Sequence, residues 1–224
     1  MTYILNIETS TTNCSVSLFN DLELIDCIEE NTKDYSHSKS LHVFIDSILK
    51  NSKISPKNLS AISVSKGPGS YTGLRIGVAS AKGLCFALDI PLISIETLKI
   101  LSQNLLNKGI VIPCLDARRM EVYSAVFDID NKMIRETRAE IINENSFEEY
   151  LNKNQVYFIG NANEKLKKII TNKNAEFIDN YFPSARQMGL LSFNKFKNNK
   201  FENLDNFEPF YLKDFVGAKW NPNQ

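Results

Sequence analysis

The stretch Gly67 to Gly83 reads Gly-Pro-Gly-Ser-Tyr-Thr-Gly-Leu-Arg-Ile-Gly-Val-Ala-Ser-Ala-Lys-Gly and carries the strongest chemical signal in the chain. A glycine-rich turn between a strand and a helix can cradle a phosphate, because free backbone N–H groups and the helix dipole favour an anion there. It can equally be a tight corner without a ligand, with glycine permitting close backbone approach. No Gly-Lys-Ser/Thr triplet follows, so it is not a Walker A motif. The spacing is Gly-x-Gly-x-x-x-Gly, one residue longer than the dinucleotide fingerprint. That fingerprint also needs an acid near the end of the next strand, a place Glu96 could fill. Both readings stay open. Candidate phosphate contacts are Gly67, Gly69 and Ser70, with Glu8, Thr9 and Ser10 at the end of the first predicted strand.

Other chemistry is sparse. His37 and His42 are the only histidines. A spacing of five sets their rings roughly 140° apart around a helix, so they do not share an ion and no metal site is expected. A hydrolase elbow, Gly-x-Ser-x-Gly, is missing, because Gly67-Pro68-Gly69-Ser70-Tyr71 shifts the serine. Asp116, Arg118, Arg119 and Glu121 form a charged cluster. It either binds an anion or a partner loop, or it is a solvated hairpin tip. Arg75 lies in the first turns of the glycine-rich helix, where a cation opposes the dipole. Pairing with Glu8 or Glu96 is therefore expected.

The elements that must position these groups follow from periodicity and turn signals. Strands are predicted at 3–8, 14–19 and 22–29, with turns at Thr11-Thr12-Asn13 and Asn20-Asp21. Ser36 to Lys50 reads as an amphipathic helix whose stripe is Leu41, Phe44, Ile45, Ile48 and Leu49. A strand at 61–65 leads into the glycine-rich loop and a helix to about Leu88. Small residues recur every four positions on two faces of that helix: Gly73, Gly77 and Ala81 on one, Ala79, Gly83 and Ala87 on the other. A strand at 91–95 and a helix at 97–107 follow. The second half restarts with strands at 110–115, 120–128 and 133–142, turning at Ala117-Arg118-Arg119 and Asp130-Asn131. A capping box, Ser146 with Glu149, predicts a helix start. Next come a strand at 155–159, a basic helix at 163–171 and a helix from Pro183 to about Phe196. A polar loop at 197–208 and a frayed tail, Trp220 to Gln224, complete the chain. The alternation gives an α/β class, divided into lobes at 1–100 and 101–224. No repeat of fixed period is visible.

At 224 residues, 43% hydrophobic and 23% charged, the chain can bury a substantial core. Its formal net charge is zero, which argues against a large basic nucleic-acid footprint. No signal peptide and no apolar run near 18 residues is visible, so a cytoplasmic protein without membrane contact is expected. Cys14, Cys27, Cys85 and Cys114 are widely spaced and read as reduced, buried thiols.

Five segments, in order, resemble the TsaB family, the non-catalytic partner of TsaD in bacterial tRNA threonylcarbamoyladenosine synthesis. They are Tyr3 to Ser10, His37-Ser38-Lys39-Ser40-Leu41, Lys66 to Leu84, Leu115 to Tyr123 and Pro209-Phe210-Tyr211-Leu212. The resemblance implies a two-lobed fold of the actin-like ATPase and sugar-kinase type. In actin-like ATPases the turn matching Glu8 to Thr11 begins with Asp and carries a Gly, and TsaD-like proteins carry a His-x-x-x-His metal motif; both patterns are lost here. The implied role is a scaffold that dimerises with TsaD and, with TsaE, supports threonylcarbamoyl transfer to the adenosine next to the tRNA anticodon. Contact with tRNA would run mainly through TsaD, and the chain alone could form a homodimer. No cofactor is expected in the isolated chain, with room for ATP or ADP in the assembled complex. The partner surface is expected on the helix at 36–50 and the glycine-rich helix, using His37, Leu41, Phe44, Ile45, Ile48, Gly73, Leu74, Gly77 and Ala81. Phe44 and Ile48 should then lie exposed in the monomer. The competing readings are a nucleotide-binding, kinase-like enzyme using the glycine-rich loop, and a peptidase-like protein.

Overall fold

Three strands open the chain: β1 (Tyr3–Glu8), β2 (Asn13–Asn20) and β3 (Glu23–Asn31). After α1 (His37–Asn51) come β4 (Leu59–Gly67), α2 (Tyr71–Leu88), β5 (Leu92–Glu96) and α3 (Thr97–Ser102). This computed structural model describes residues 1–32 and 37–213. Ser36, the predicted start of the first helix, and the predicted frayed tail Trp220–Gln224 lie outside the described residues.

The first sheet has the order β3-β2-β1-β4-β5. β1 is antiparallel to β2 and parallel to β4, with Ile7 opposite Val64. β1 and β4 are buried along most of their length because both faces of the sheet are covered. Alternation along β1 sends Leu5 and Ile7 to a core roofed by Leu41, Ile45 and Ile48 of α1 and by Val78 and Ala81 of α2. It sends Ile4 to the opposite core, with Ile93, Ile95 and Ile100.

The second sheet comprises β6 (Ile110–Asp116), β7 (Glu121–Phe127), β8 (Met133–Ile141), β9 (Val156–Ile159) and β10 (Ala175–Ile178). Its order is β10-β9-β6-β7-β8. Read from its first strand outward, this is the first sheet again: a hairpin pair on one side and two parallel strands on the other. Its helices are short, α4 (Glu148–Leu151) and α5 (Asn163–Leu166). Each sheet ends its first parallel strand at a glycine in the left-handed region: Gly67 at φ +116° and Gly160 at φ +126°. An L side chain rarely adopts that conformation. At Gly160 a Cβ would also collide with the Cys114 carbonyl.

Several expectations are corrected. The predicted boundary at residue 100 separates the two sheets, yet the chain returns to the first lobe. Ala185 and Met188 join the Ile4 core, and α6 (Gly189–Lys197) packs on β1 and β5. The Ser146–Glu149 capping box does not form. Ser146 Oγ instead accepts from the Asn143 amide at 2.9 Å, and α4 begins at Glu148 after Phe147, a residue at φ +65°. The basic helix is shorter than its predicted span of 163–171, and β10 was not predicted. The apolar stripe of α1 belongs to the lobe's own core: Ile48 is fully buried, and Phe44 is half-buried against the same cluster.

Candidate functional site

Two surfaces qualify as functional, and α2 contributes to both. Ser70 caps the helix, its Oγ accepting from the Gly73 amide at 3.3 Å. Gly73, Gly77 and Ala81 turn toward the end of β1, and Thr9 Oγ1 donates to the Gly73 carbonyl at 2.8 Å. A Cβ at Gly73 would collide with the Thr9 carbonyl, and one at Gly77 with Thr9 Oγ1. Close packing is therefore real, but it is intramolecular.

The expected partner residues are placed accordingly. Leu41, Ile45, Ile48, Leu74 and Ala81 are buried in the first lobe, and Gly73 and Gly77 press on Thr9. His37 is buried too, with Nε2 2.7 Å from the Thr11 carbonyl; burial lowers its pKa. These groups lie inside the first lobe of this chain, and Phe44 is accessible only in part. The outer face is built from other residues. Ala79, Gly83, Phe86 and Ala87 follow at i, i+4, i+7 and i+8 and are exposed, Phe86 at 85%. A Cβ on Gly83 would meet nothing within 4 Å. On neighbouring α1, Val43 is 59% exposed, and His42 Nε2 lies 3.2 Å from Ser80 Oγ, which joins the two helices on this side. The second small-residue row was the sequence signal for this face.

The other surface is a cleft of about 620 Å³ between the lobes. Ser10, Ser70 and Tyr71 line it from the first lobe, and Asp116, Arg118 and Tyr123 from the second. Of the candidate phosphate contacts, Ser10, Gly69 and Ser70 line it; Ser10 Oγ lacks a hydrogen-bond partner, while backbone amides at the turn are bonded within the chain. The Ser10 amide donates to Glu8 Oε1 at 2.6 Å, the Ser70 amide to the Ser10 carbonyl at 2.6 Å, and the Gly73 amide to Ser70 Oγ. The space that Gly69 leaves open is filled by the Ser10 carbonyl, and that of Gly67 by the Phe210 carbonyl. Glu8 is fully buried, with Oε2 lacking a hydrogen-bond partner. Burial raises its pKa to about 7, against the opposing hydrogen bonds from Ser10. The Ser10 and Phe210 carbonyls thus crowd the two glycines that a phosphate would approach.

The acids of the charged hairpin are paired with lysines from elsewhere in the chain. Lys165 Nζ donates to Asp116 Oδ1 at 2.6 Å and to the Glu121 carbonyl at 2.9 Å. Lys213 pairs with Glu121. Arg118 and Arg119 are exposed. Arg75 pairs with neither Glu8 nor Glu96. It bonds the hydroxyls of Tyr71 and Tyr211 and lies 4.1 Å from the Tyr71 ring centroid, while Glu96 pairs with Lys66. All four cysteines are free thiols. Burial pushes Cys14 and Cys85 up to about 12 and Cys27 to about 11, and raises Cys114 as well. None is an activated nucleophile at neutral pH. Among the described residues, no group of three His, Cys, Asp or Glu could hold a metal ion. No described helix is long and apolar enough to cross a membrane.

Paired sheets of one strand order around a cleft define a two-lobed fold of the actin-like ATPase type. Two solved structures share it along the chain: YeaZ from Pseudomonas aeruginosa, at TM-score 0.83, and a P. aeruginosa protein described as similar to peptidase YeaZ, at TM-score 0.85. Each is 21% identical and covers 95% of this chain and 100% of its own. A family model described as TsaD, tRNA N6-adenosine threonylcarbamoyltransferase, matches residues 31–218. The tRNA threonylcarbamoyladenosine biosynthesis protein TsaB of Buchnera aphidicola subsp. Baizongia pistaciae is 30% identical over 221 residues, 94% of this chain and 98% of that protein. The chain belongs to the TsaB family. The TsaB proteins of Bacillus subtilis and Escherichia coli are 36% and 34% identical over 59% and 58% of this chain. The matched stretches span 58% and 57% of those relatives' lengths.

Proposed function

We propose that this chain is a non-catalytic, partner-binding subunit in the synthesis of threonylcarbamoyladenosine in tRNA, working in the cytoplasm. It docks on TsaD through the outer face of α1 and α2. With TsaE, the pair supports threonylcarbamoyl transfer to the adenosine next to the anticodon, and tRNA is held mainly by TsaD. The observation that carries this reading is Phe86, 85% exposed on a row of Ala and Gly whose member Gly83 faces open space. A large aromatic beside small residues suits a close helix–helix seam in which one anchor fills a partner's pocket. The same face would pair two copies when TsaD is absent. Support for the non-catalytic part comes from the Ser10 and Ser70 amides, which are bonded within the turn, and from the raised thiol pKa values.

Gly83→Leu tests the reading. Co-purification with TsaD and tRNA modification by the reconstituted set are expected to fail, while the variant melts like its parent. Full activity from this variant would remove the assignment. A second reading, a nucleotide-binding kinase-like enzyme, rests on the interlobe cleft. We propose ATP or ADP only for the assembled complex. Calorimetric titration of the isolated chain with either nucleotide is expected to give no heat of binding.

A further inference from the structure

The family-like segment Pro209 to Leu212 and the charged hairpin are far apart in sequence, and the partner face uses neither. They meet at the cleft. Beyond α6, Glu202 donates its amide to the Leu92 carbonyl at 2.9 Å, and Phe207 is buried in the core under α1 and α2. Lys82 Nζ holds the Phe207 carbonyl at 3.0 Å. The Phe210 amide then donates to the Lys66 carbonyl at 2.7 Å. Its carbonyl sits only 2.7 Å from where a Cβ on Gly67 would be. The Tyr211 ring packs on Tyr71 at 4.6 Å between centroids, and its hydroxyl accepts from Arg75 Nε at 3.3 Å. Lys213 reaches the other lobe and pairs with Glu121. Phe210 to Lys213 all line the cleft.

We propose that Pro209 to Lys213 is a built-in clasp. It fills with the chain's own backbone the approach to Gly67 that a strand–glycine–helix turn offers to a phosphate. It also ties the glycine-rich turn of the first lobe to the β6–β7 hairpin of the second. The glycine is explained without a ligand: it makes room for the Phe210 carbonyl. The clasp has two separable holds, the Tyr211 stack on α2 and the Lys213–Glu121 pair on the hairpin.

Amide hydrogen exchange on the full chain tests this. Tyr211→Ala should speed exchange at Phe210 and at the hairpin amides Ala117 and Glu121 by about tenfold, with the β1 and β4 amides unchanged. Lys213→Glu, a change at an exposed residue, should speed only the hairpin amides, by roughly two- to fivefold. Adding Glu121→Lys to Lys213→Glu should restore the parent rates. The clasp is overturned if Lys213→Glu and Tyr211→Ala both leave the hairpin rates unchanged. A charge swap that fails to restore them overturns the ion-pair hold. Should Tyr211→Ala not fold, the Lys213→Glu and swap measurements decide alone.

Discussion

The two lobes share one strand order and a positive-φ glycine at the end of the first parallel strand, yet they differ in what they build on that frame. The first lobe carries helices of 15 and 18 residues, each with one face in the core and one face out. The second carries helices of 4 residues each, too short to present an outer surface. The shared frame makes the cleft, because both hairpin turns point into it. The difference makes the proposed docking face, which belongs to the first lobe alone. Within α2 the same contrast recurs at residue scale: Gly73 and Gly77 are small because Thr9 lies against them, and Gly83 is small with nothing against it.

The comparison breaks most visibly if the inner face is charged. Phe44→Asp with Ile48→Asp should unfold the first lobe, because an unpaired buried carboxylate costs several kcal/mol or more, on the order of the whole stability of a domain. A soluble double variant with the parent's melting curve would show that α1 is not core. Next in size, Gly77→Leu should destabilise by about 3 kcal/mol or more through collision with Thr9, whereas Gly83→Leu should stay near the parent or gain up to about 0.8 kcal/mol, the helix-propensity difference. Equal melting shifts at the two glycines would erase the distinction between the rows.

Glu8 offers a pH test. Burial keeps it protonated up to about pH 7, whereas its ordinary value is 4.5. The folded state therefore binds the extra proton between these values, and stability falls as pH rises through that window. Glu8→Gln keeps an acceptor for the Ser10 amide and removes the titration. Relative to the parent, the variant should gain up to about 3 kcal/mol between pH 4 and pH 8. A pH-independent difference in chemical denaturation would rule this out. Smaller again, Gly160→Ala should cost about 1–3 kcal/mol through its left-handed backbone and the Cys114 carbonyl. An unaffected melt would deny the second lobe its equivalent of Gly67.

Most of the first lobe was legible in the sequence because its signals are local. The alternating strands, the Ser70 cap and the glycine-rich run each act within a few residues. The second lobe was less legible. β10 spans four residues, Ala175–Ile178, and pairs only with β9, so its identity as a strand comes from a parallel neighbour and not from its own pattern. The duplication of the lobes leaves no sequence period, because it resides in strand order. The docking face was half legible. Both small-residue rows stood out, but which one faces inward depends on where Thr9 lies across 64 residues of chain. That the α1 stripe belongs to the core depends on the five-stranded sheet beneath it, which no local pattern reveals. The clasp had a visible motif at Pro209 to Leu212, and its counterpart at Lys66 and Gly67 required the fold.

On the proposed reading, the partner grips the outer row of α2, with Phe86 as its anchor. The direct measurement is the equilibrium affinity of the Phe86→Asp variant for TsaD, taken beside its melting temperature. A central aromatic anchor is typically worth 2 kcal/mol or more, so binding should weaken by about 30-fold or more while the melting temperature stays at the parent's value. Unchanged affinity in a folded Phe86→Asp protein would contradict the account.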